Sequence, residues 1–591
     1  SAIDKPQQGW GNKGLFPCRP LSGDDLVPAP SSSVASTPLK PLIVQGDFSL
    51  LLEVDNPEYG AVRDQISRFA ELVKSPEYLH TYRITPLSVW NAASAGMRPE
   101  QMSAVLRRFS RYPVPPHVNT ELEELASRFG RLRLVRVDER LVLEADEVWL
   151  AELIAGQRHT SARLEQRLSE TSFQIEEMQR GRLKQELIKV GYPAQDLAGY
   201  RTGEPRAVRL RSLTSSGQSF ALRGYQQDAM EIFYAGGAPT GGSGVVVLPC
   251  GAGKTMVGLG VIAALGTSTV VITTGVTASR QWIAELLHKT ELDPDQVGEY
   301  TGQRKQIRPI TITTYQTLTY RRSSQEEFPH FRLFDERNWG LIIYDEVHLL
   351  PAPVFQITAE LQARRRLGLT ATLIREDGRQ DDVFALIGPK KYDVPWKDLE
   401  RQGWIAKAIC TEVRVGMSYE LRMQVAQAAR QSKFRLASEN SRKLELLPPL
   451  LERHPDRPAL IIGMYVEHLR GIAQKLDAPL LTGSTSARQR DKLYHAFRRG
   501  ELPVLVVSKV ANFAVDLPDA SLAIQVSGTF GSRQEEAQRL GRILRPKAGD
   551  NQAHFYTLVS RDSVEQQFAL NRQLFLTEQG YSYRIMDGEE L

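Results

Sequence analysis

The chain has 591 residues, of which 41% are hydrophobic and 24% are charged. This length exceeds that of one compact domain and predicts several domains with ordinary globular cores. The 74 Lys and Arg against 69 Asp and Glu give a formal net charge of +5. So mild an excess permits nucleic-acid binding but does not by itself argue for it.

The cysteines and the apolar runs indicate the cellular compartment of the protein. Cys18, Cys250 and Cys410 do not have the spacing of a metal site, and a disulfide framework is not expected. The longest apolar run, residues 245–266, is interrupted by Pro249 and by Gly and Lys residues, so no membrane-spanning segment is predicted. The N-terminus lacks the apolar core of a signal peptide. A reducing, intracellular setting is therefore expected.

The N-terminal part of the chain predicts an arm followed by a small domain. Residues 1–41 include a Pro- and Ser-rich run, which buries too little apolar surface to fold, so a flexible arm is predicted. Residues 42–135 mix extended segments with helical patterns and predict a small α/β domain. Within it, apolar spacing predicts a helix over residues 57–75 and two further helices separated at Gly96.

Residues 136–212 are predicted to form a second small domain. The alternating run LRLVRVDERLVLEA, residues 132–145, straddles its start and is typical of strands. Residues 164–191 are charged and predict a solvated surface helix.

From Gly244 onward, strands alternate with helices, which is the pattern of parallel α/β sheets. Two successive series of apolar strands predict two lobes, residues 213–410 and 446–591, with a cleft between them. The strand candidates are residues 244–248, 268–273, 310–313 and 340–345 in the first series, and 459–464, 503–508, 522–527 and 554–560 in the second.

The strongest local signal is LPCGAGKT, residues 248–255, between an apolar strand and a helical run. Gly251 and Gly253 let main-chain N–H groups close around phosphate oxygens at the positive end of the following helix. Lys254 is predicted to contact the β- and γ-phosphates, and Thr255 to bind magnesium. The strict phosphate-loop pattern begins with Gly where this run has Leu, but the positions that contact phosphate are kept.

A second signal, GLIIYDEVH, places Asp345 and Glu346 at the end of an apolar strand, where a parallel sheet presents its ligand-binding edge. Asp345 is expected to hold magnesium, and Glu346 to orient and deprotonate the attacking water. Adjacent acidic residues at a strand end are usually only a polar loop start, but their place downstream of GAGKT favours the catalytic interpretation. ATP and Mg²⁺ are therefore the expected cofactors.

Further runs resemble the ordered motifs of superfamily 2 helicases. VVITTGVTASRQW, with Arg280, resembles their early DNA-contacting motif, and TITTYQTL, with Thr314, resembles the next. LGLTAT, with Thr370 and Thr372, resembles the motif that links hydrolysis to nucleic-acid binding.

In the second lobe, VVSKVANFAVDLPDA and QRLGRILRP resemble the last two motifs of the superfamily. Arg542 and Arg545 lie three residues apart, so on a helix they share a face and can reach across the cleft to the γ-phosphate. Arginines in this role accelerate phosphoryl transfer about 10³-fold or more. Gln538 and Arg539 are expected to support nucleotide or inter-lobe contacts.

A site divided between two lobes predicts motion. ATP would bridge the lobes and favour a closed cleft, and hydrolysis would let the cleft open. If the lobes hold one strand alternately, each cycle advances the protein along DNA without reading its bases.

The resemblance narrows around LGLTATLIREDGRQDDVFALIGPKKYDVPWKDLERQGWIAKAIC, which is similar to the XPB helicases. In that family an Arg-Glu-Asp motif follows Thr-Ala-Thr, which implies that Arg375, Glu376 and Asp377 take part in opening the duplex. LRGYQQDAM resembles the family's LRPYQ motif and implies that Gln226 contacts adenine, with Gly224 in place of the Pro.

The resemblance covers most of the chain and implies two RecA-like parallel-sheet motor lobes preceded by small α/β N-terminal domains. The second small domain resembles the family's damage-recognition domain. Residues 411–445 stand where the family has a thumb-like insertion, but they match it only loosely, and a solvated amphipathic helix is an equal alternative. The basic side chains that could grip DNA there are Arg422, Arg430, Lys433, Arg435, Arg442 and Lys443.

The family implies an ATP-dependent DNA helicase or translocase of 3′ to 5′ polarity, acting in nucleotide excision repair or related DNA processing. It also implies a Bax-like nuclease partner in archaeal members or TFIIH subunits in eukaryotic ones. The long eukaryotic N-terminal extension is not seen, which favours a cytoplasmic, prokaryotic enzyme over a nuclear one. The open alternatives are a duplex translocase that does not separate strands, a DNA-binding scaffold with a switch-type ATPase, and an RNA helicase, which DEVH disfavours.

Overall fold

The part of the chain that follows the predicted arm is covered almost throughout by a computed structural model. It describes residues 40–74, 78–238, 240–249, 251–323, 328–362, 364–371, 380–394, 396–455, 457–508, 520–527, 552–578 and 581–591. The arm predicted over residues 1–41 lies outside this part except at its last two residues. Among the described helices, none is long and apolar enough to cross a membrane.

The first small domain is an antiparallel sheet of order β1-β2-β4-β3 with helices packed on it around one apolar core. Its strands are β1 (Leu42–Val44), β2 (Ser49–Glu53), β3 (Glu71–Lys74) and β4 (Leu79–Arg83). Its helices are α1 (Tyr59–Ile66), α2 (Pro86–Ser94), α3 (Pro99–Phe109) and α4 (Pro116–Arg128).

The helix predicted over residues 57–75 is wrong in its second half, where β3 pairs with β4. Leu72 is buried and Val73 is exposed, which is the two-residue alternation of a strand. Pairing with β4 therefore overrides the helical spacing. The two helices predicted on either side of Gly96 are confirmed as α2 and α3.

The second small domain is a sheet of order β7-β8-β6-β5-β9. Its strands are β5 (Leu132–Val137), β6 (Arg140–Ala145), β7 (Gln166–Arg167), β8 (Ser172–Ile175) and β9 (Ala194–Asp196). Its helices are α5 (Val148–Gly156), α6 (Arg158–Ser161) and α7 (Arg180–Val190).

Two sequence predictions for this domain are wrong. The boundary placed after residue 135 falls inside β5, which belongs wholly to the second sheet through its pairing with β6. The helix predicted over residues 164–191 is limited to α7 at its C-terminal end, because β8 pairs with β6 and sets Phe173 opposite Leu143. Both of these side chains are buried, so the sheet core gains more apolar contact than a surface helix would provide.

The first motor lobe contains a parallel sheet of order β12-β13-β11-β14-β15-β10-β16. Its strands are β10 (Ser243–Val247), β11 (Thr269–Thr273), β12 (Val297–Tyr300), β13 (Ile310–Thr314), β14 (Leu341–Asp345), β15 (Arg365–Thr370) and β16 (Lys390–Asp393). Its helices are α8 (Gly224–Tyr234), α9 (Lys254–Leu265), α10 (Val276–Lys289), α11 (Tyr315–Leu318), α12 (Ala352–Glu360), α13 (Gln380–Leu386) and α14 (Trp396–Arg401).

The second motor lobe contains a parallel sheet of order β19-β20-β18-β21-β22-β17-β23. Its strands are β17 (Lys407–Val415), β18 (Ala459–Gly463), β19 (Leu480–Leu481), β20 (Val504–Ser508), β21 (Leu522–Gln525), β22 (Gln552–Ser560) and β23 (Ser582–Asp587). Its helices are α15 (Tyr419–Gln427), α16 (Arg430–Ser438), α17 (Arg442–Glu452), α18 (Val466–Lys475), α19 (Ala487–Arg498) and α20 (Val564–Glu578).

Short 3-10 turns in the described parts of the second small domain and of both lobes span Glu177–Gln179, Ala235–Gly237, Pro294–Gln296, Pro329–Phe334, Val347–Leu349 and Gly588–Glu590. The predicted class, two parallel-sheet motor lobes preceded by small α/β domains, is confirmed.

The lobe boundary predicted at residue 410 is wrong. β17 spans it and pairs with β22 on one side and β23 on the other, so the second lobe begins with this strand. The segment predicted as a thumb-like insertion, residues 411–445, therefore starts inside the second sheet, and Val413 and Val415 lie in the core of that lobe. The helices α15 and α16 follow the strand, and a thumb role for them stays a prediction.

One of the basic residues predicted to grip DNA is instead a core residue. Lys443 is fully buried, with Nζ 2.8 Å from Oε2 of Glu565 on α20 and 2.9 Å from the main-chain oxygen of Val526. Ser438 Oγ donates to the other carboxylate oxygen of Glu565 at 2.9 Å. Lys443 therefore joins α17 to α20 and to the end of β21, and it is not available to DNA.

The two small domains pack against one side of the first motor lobe. α2 packs against β16, where the side-chain oxygen of Asn91 accepts from the main-chain N–H of Lys390 at 2.9 Å. α7 packs against α12 and α13. Gly181 is needed in that contact, since a Cβ there would lie 2.5 Å from the main-chain oxygen of Ala359.

A buried charge cluster fastens the second small domain to β15. Asp196 lies 2.6 Å from Arg180 and 2.9 Å from Lys184, and the fully buried Arg366 of β15 stands beside them. The guanidinium groups of Arg180 and Arg366 lie 5.6 and 5.5 Å from the ring centroid of Tyr200. Burial opposes the charge of Asp196, but the Lys184 and Arg180 cations hold its pKa well below the ordinary value.

Replacing Lys443 with Met is expected to destabilise the second lobe by about 3–5 kcal/mol, because the carboxyl group of Glu565 would be left in the core without its partner. Amide hydrogen exchange of β17 and β22 measures this as faster local opening. The control is Arg470→Met, which breaks an exposed pair with Glu467 in the same lobe and should leave exchange unchanged. Equal protection in the two variants would contradict the structural role of Lys443.

Candidate nucleotide site and motor motifs

The predicted motifs meet along one edge of the first motor sheet. All strand pairs from β10 to β16 are parallel, so the carboxyl ends of these strands lie on the same edge. The phosphate loop follows β10, Asp345 ends β14, and Thr370 ends β15. Because β15 lies between β10 and β14 in the sheet, these three motifs are neighbours.

Two glycines shape the phosphate loop. Gly251 and Gly253 both have a φ of 80°, a region that strains residues with a Cβ. Gly253 is the N-cap of α9, so the N-terminal end of that helix, with the positive end of its dipole, faces the loop. A Cβ on Gly253 would lie 2.5 Å from Nε2 of Gln226. Both the conformation and the close approach require glycine at this position.

Gln226 ties α8 to the phosphate loop. Its Nε2 donates to the main-chain oxygen of Ala252 at 2.9 Å, and its Oε1 accepts from the N–H of Arg223 at 3.0 Å. The hydroxyl of Tyr225 donates to the same Ala252 oxygen at 2.7 Å. The adenine contact implied for Gln226 stays a prediction. The contact of Tyr225 with the phosphate loop was not predicted, although Tyr225 lies in the same LRGYQQDAM run as Gln226.

An ion pair joins the phosphate loop to the end of β14. Lys254 Nζ lies 2.7 Å from Oε1 of Glu346, and the two side chains are only 12% and 16% exposed. Glu346 has a φ of 52°, which is uncommon for a residue with a side chain and is typical of strained functional turns. The two groups that were predicted from separate motifs to serve one phosphate are thus in direct contact.

Asp345 is held by two aromatic residues. Trp282 Nε1 donates to its Oδ2 at 2.9 Å, and the hydroxyl of Tyr315 donates to its main-chain oxygen at 3.0 Å. Burial, together with the neighbouring Glu346 charge, raises the pKa of Asp345 to about 6. Trp282 and Tyr315 lie within the helicase-like motifs, but no sequence pattern predicted their hydrogen bonds to Asp345.

The pKa values of the two neighbouring acidic residues, Asp345 and Glu346, are shifted in opposite directions. Burial works against the charge of Glu346, but the Lys254 ammonium and then His348 lower the pKa of Glu346 below its ordinary value. Glu346 is therefore ionised where Asp345 titrates, which separates a permanent base from a weaker acid. His348 also contacts Thr370 through Nδ1 at 2.6 Å, so the acidic motif is linked directly to the motif predicted to couple hydrolysis to DNA.

The other predicted residues of this lobe have mixed positions. Arg280 is half-exposed on α10, with its guanidinium 3.4 Å from Glu299 and 2.6 Å from Gln303. Thr314 is buried, and its hydroxyl accepts from the N–H of Thr317 at 3.0 Å as the cap of α11. Thr255 is the second residue of α9 and is partly buried. The DNA and magnesium roles of these residues stay predictions.

Several predicted site residues lie outside the described part of the chain, and their roles also stay predictions. They are Thr372, Arg375, Glu376, Asp377, Gln538, Arg539, Arg542 and Arg545.

The donors that are present fit a magnesium–nucleotide complex. The phosphate loop offers backbone N–H groups and the Lys254 ammonium to phosphate oxygens. Thr255 and Asp345 supply the hydroxyl and carboxylate oxygens that Mg²⁺ accepts, and this ion takes its remaining ligands from phosphates and water. The pKa of Asp345, raised to about 6, leaves its carboxylate ionised near neutral pH, which a metal ligand requires.

Two parallel-sheet lobes with a phosphate loop and a paired Asp-Glu at one sheet edge define a motor ATPase of the superfamily 2 helicase class. Sequence patterns of three protein families match the chain. The family "ERCC3/RAD25/XPB C-terminal helicase" matches residues 399–590, and "Type III restriction enzyme, res subunit" matches residues 219–375. "Helicase conserved C-terminal domain" matches residues 42–168, which cover the first small domain and part of the second.

Relatives extend the similarity over nearly the whole chain. It is 51% identical to "DNA 3'-5' helicase XPB" of Kineococcus radiotolerans over 93% of this chain and 97% of the relative. It is 50% identical to the protein of the same name from Mycobacterium tuberculosis, over 93% and 98% of the two chains. The "Putative DNA 3'-5' helicase Rad25" of Halobacterium salinarum is 35% identical over 89% and 84%. The chain belongs to the XPB family of DNA helicases, as the sequence motifs predicted.

Replacing Asp345 with Asn is expected to raise the thermal unfolding midpoint. The pKa of Asp345 is raised from 3.8 to about 6, so the cost of its charge to the folded state grows between these pH values and is constant above them. Asn removes that cost, about 1–3 kcal/mol, and still accepts from Trp282. The gain should therefore be larger near pH 7.5 than near pH 4.5.

The control for this measurement is Asp335→Asn, at an exposed position of the same lobe. It should shift the midpoint little at either pH. A gain for Asp345→Asn that does not depend on pH would show that the carboxylate charge is not its cause.

Proposed function

We propose that Lys254, Asp345 and Glu346 are the hydrolytic centre of an ATP-driven motor that moves 3′ to 5′ on DNA. The observation that carries this proposal is the 2.7 Å contact between Lys254 and Glu346. It brings the phosphate-binding cation of one motif and the base of another to one point on the sheet edge. The polarity is supported by the names of the bacterial relatives, which are 3'-5' DNA helicases.

Each side chain has a distinct task in this proposal. Lys254 leaves Glu346 for the β- and γ-phosphates when nucleotide binds, because a polyphosphate carries more negative charge than one carboxylate. Glu346, released and ionised, accepts the proton of the attacking water. Asp345 and Thr255 would hold magnesium, which when bound would neutralise charge on the phosphate oxygens.

The second lobe would complete the site. Arg542 and Arg545 are proposed to reach the γ-phosphate, with Gln538 and Arg539 supporting the contact. The link from Glu346 through His348 to Thr370 then carries the nucleotide state toward the Arg375–Asp377 segment. This chain of contacts supports a motor over a scaffold, since a scaffold does not need its base joined to a DNA-coupling motif.

The cellular setting is also part of the proposal. We propose a role in DNA repair or related DNA processing in the cytoplasm of a prokaryote, which is supported by the bacterial relatives at about half identity. A Bax-like nuclease partner, implied by the family resemblance, stays a prediction. Its simplest check is co-purification of the two proteins from one cell extract.

Lys254→Ala and Glu346→Gln are each expected to lower DNA-stimulated ATP hydrolysis by about 10³-fold or more. Lys254→Ala should also weaken nucleotide binding, whereas Glu346→Gln should keep it, because the amide removes only the base. Nucleotide binding and phosphate release measure the two effects. The matched control is Lys189→Ala, which breaks a surface Lys–Glu pair of similar length in the second small domain. Wild-type turnover in Lys254→Ala or Glu346→Gln would exclude this hydrolytic centre.

A forked duplex with a 3′ tail is expected to be unwound in an ATP-dependent reaction, and the same fork with a 5′ tail much less. Release of a labelled strand measures separation, and displacement of a third strand from a triplex measures movement alone. Robust triplex displacement without fork opening would instead establish the duplex-translocase alternative. Equal stimulation by matched RNA strands would favour the RNA helicase alternative.

A further inference from the structure

A group of rings and a cation extends the carboxyl edge of the first motor sheet beyond the predicted motifs. Tyr300 ends β12, Lys305 follows it, Tyr320 follows α11, and His330 lies in the next 3-10 turn. We call these four residues the edge cluster. Neither the helicase-like motifs nor the nucleotide site includes any of them. Since β12 and β13 are the outermost strands on this side of the sheet, the edge cluster lies at the end of the row of motifs.

The edge cluster is held together by contacts among its side chains, and one of its rings is exposed to solvent. The buried Tyr300 supports it, since its hydroxyl lies 3.0 Å from Nδ1 of His330 and its ring meets the His330 ring edge-on at 5.6 Å. Tyr320 is tilted by 37° against the His330 ring with centroids 6.3 Å apart, and it is 56% exposed. A large aromatic ring is thus held by a second ring and still faces solvent.

A cation stands at the same place. Lys305 Nζ lies 4.5 Å from the ring centroid of Tyr300 and 3.4 Å from Nε2 of His330. Its side chain is exposed. Burial, with Lys305 and Arg332 nearby, lowers the pKa of His330 below its ordinary value, which favours the neutral ring. Neutral rings beside an exposed ammonium are the two elements that bind a base and its phosphate.

The edge cluster is connected to the predicted DNA motifs. Glu299, next to Tyr300, is within 3.4 Å of Arg280 on α10, and Gln303 accepts from the same guanidinium at 2.6 Å. The loop that carries Lys305 is therefore fixed to the early DNA-contacting motif. Glu326 and Glu327 lie near this loop in the sequence but outside the described residues. The inference therefore rests on the contacts among the rings and not on the net charge of the region.

The edge cluster is remote from the nucleotide. Five strand steps separate β12 from β10, which precedes the phosphate loop, and three separate it from β14, which ends at Asp345; these are about 24 Å and about 14 Å at the usual strand spacing. At these distances the Tyr320 side chain does not contact the phosphate loop. Basal hydrolysis and strand binding can therefore be separated in an experiment.

We propose that Tyr320, backed by His330, stacks on an unpaired base of the DNA strand held by the first lobe, while Lys305 contacts the adjoining phosphate. The proposal rests on the proposed function, because it assumes that the strand crosses this sheet edge. It adds a base-stacking site to a motor lobe whose motifs otherwise bind only the backbone. A stacking site accepts every base, so it provides grip without sequence preference.

The test compares two strands of about twelve units, a typical site length, one of dT and one of abasic sugar phosphates. Wild-type protein is expected to bind the dT strand about tenfold more tightly than the abasic strand. Tyr320→Ala should lose this discrimination by weakening only dT binding, and Tyr320→Phe should restore it. Lys305→Gln should weaken both strands equally and lower the salt dependence of binding by about one ion.

Tyr112→Ala is the matched control, since Tyr112 is a similarly exposed tyrosine, at 58%, in the first small domain. Basal ATP hydrolysis, which should be unchanged in Tyr320→Ala, reports that the lobe is folded. Equal losses on both strands, or no loss on dT, would overturn the stacking site. If wild-type hydrolysis were not stimulated by any strand, the proposed function itself would fail, which is a different result from loss of stacking alone.

Discussion

The contact between Lys254 and Glu346 is the interaction on which the site depends. The Lys254 and Glu346 side chains are both mostly buried, and burying either charge without the other would cost free energy. In the proposed mechanism a polyphosphate offers Lys254 a stronger partner, so nucleotide binding would release Glu346. This exchange would make the proposed base available only when there is phosphate to attack. Asp345, whose pKa is raised to about 6 by burial and by Glu346, would lose this electrostatic cost beside the divalent ion that it is proposed to hold.

The small N-terminal domains are packed onto the first motor lobe. α7 packs against α12 and α13, and α2 packs against β16, the strand that pairs with β10. The buried cluster around Asp196 reaches Arg366 on β15, the strand that ends at Thr370. Buried charges in mutual contact tolerate little displacement, because any separation leaves one of them unpaired. The second domain and β15 are therefore expected to move as one body.

The carboxyl edge of the first sheet orders the functional groups by strand position. The phosphate loop, the Thr370 motif and the acidic pair follow three adjacent strands, and the early DNA motif, Thr314 and the edge cluster continue across the rest of the sheet. The predicted nucleotide and DNA motifs therefore share one support and are in contact, because β11, where the early DNA motif begins, is adjacent to β14, and Trp282 of that motif donates to Asp345. The contact between His348 and Thr370 joins the acidic pair to the motif predicted to couple hydrolysis to DNA. The edge cluster lies three strand steps from β14.

The sequence by itself determined the class of fold, the family, and the residues Lys254, Asp345 and Glu346, because phosphate loops and acidic strand ends are local patterns tied to local geometry. It also located four of the seven strands of each motor sheet, namely β10, β11, β13 and β14 in the first and β18, β20, β21 and β22 in the second, because these carry clear apolar runs. It misjudged residues 164–191, the strand β17 and Lys443, because sheet pairing and burial at those places depend on partners distant in the chain. Only the tertiary structure decided that Trp282 and Tyr315 hold Asp345, and that four residues from separate turns meet in the edge cluster. Such contacts join points far apart along the chain, and no spacing within the sequence encodes them.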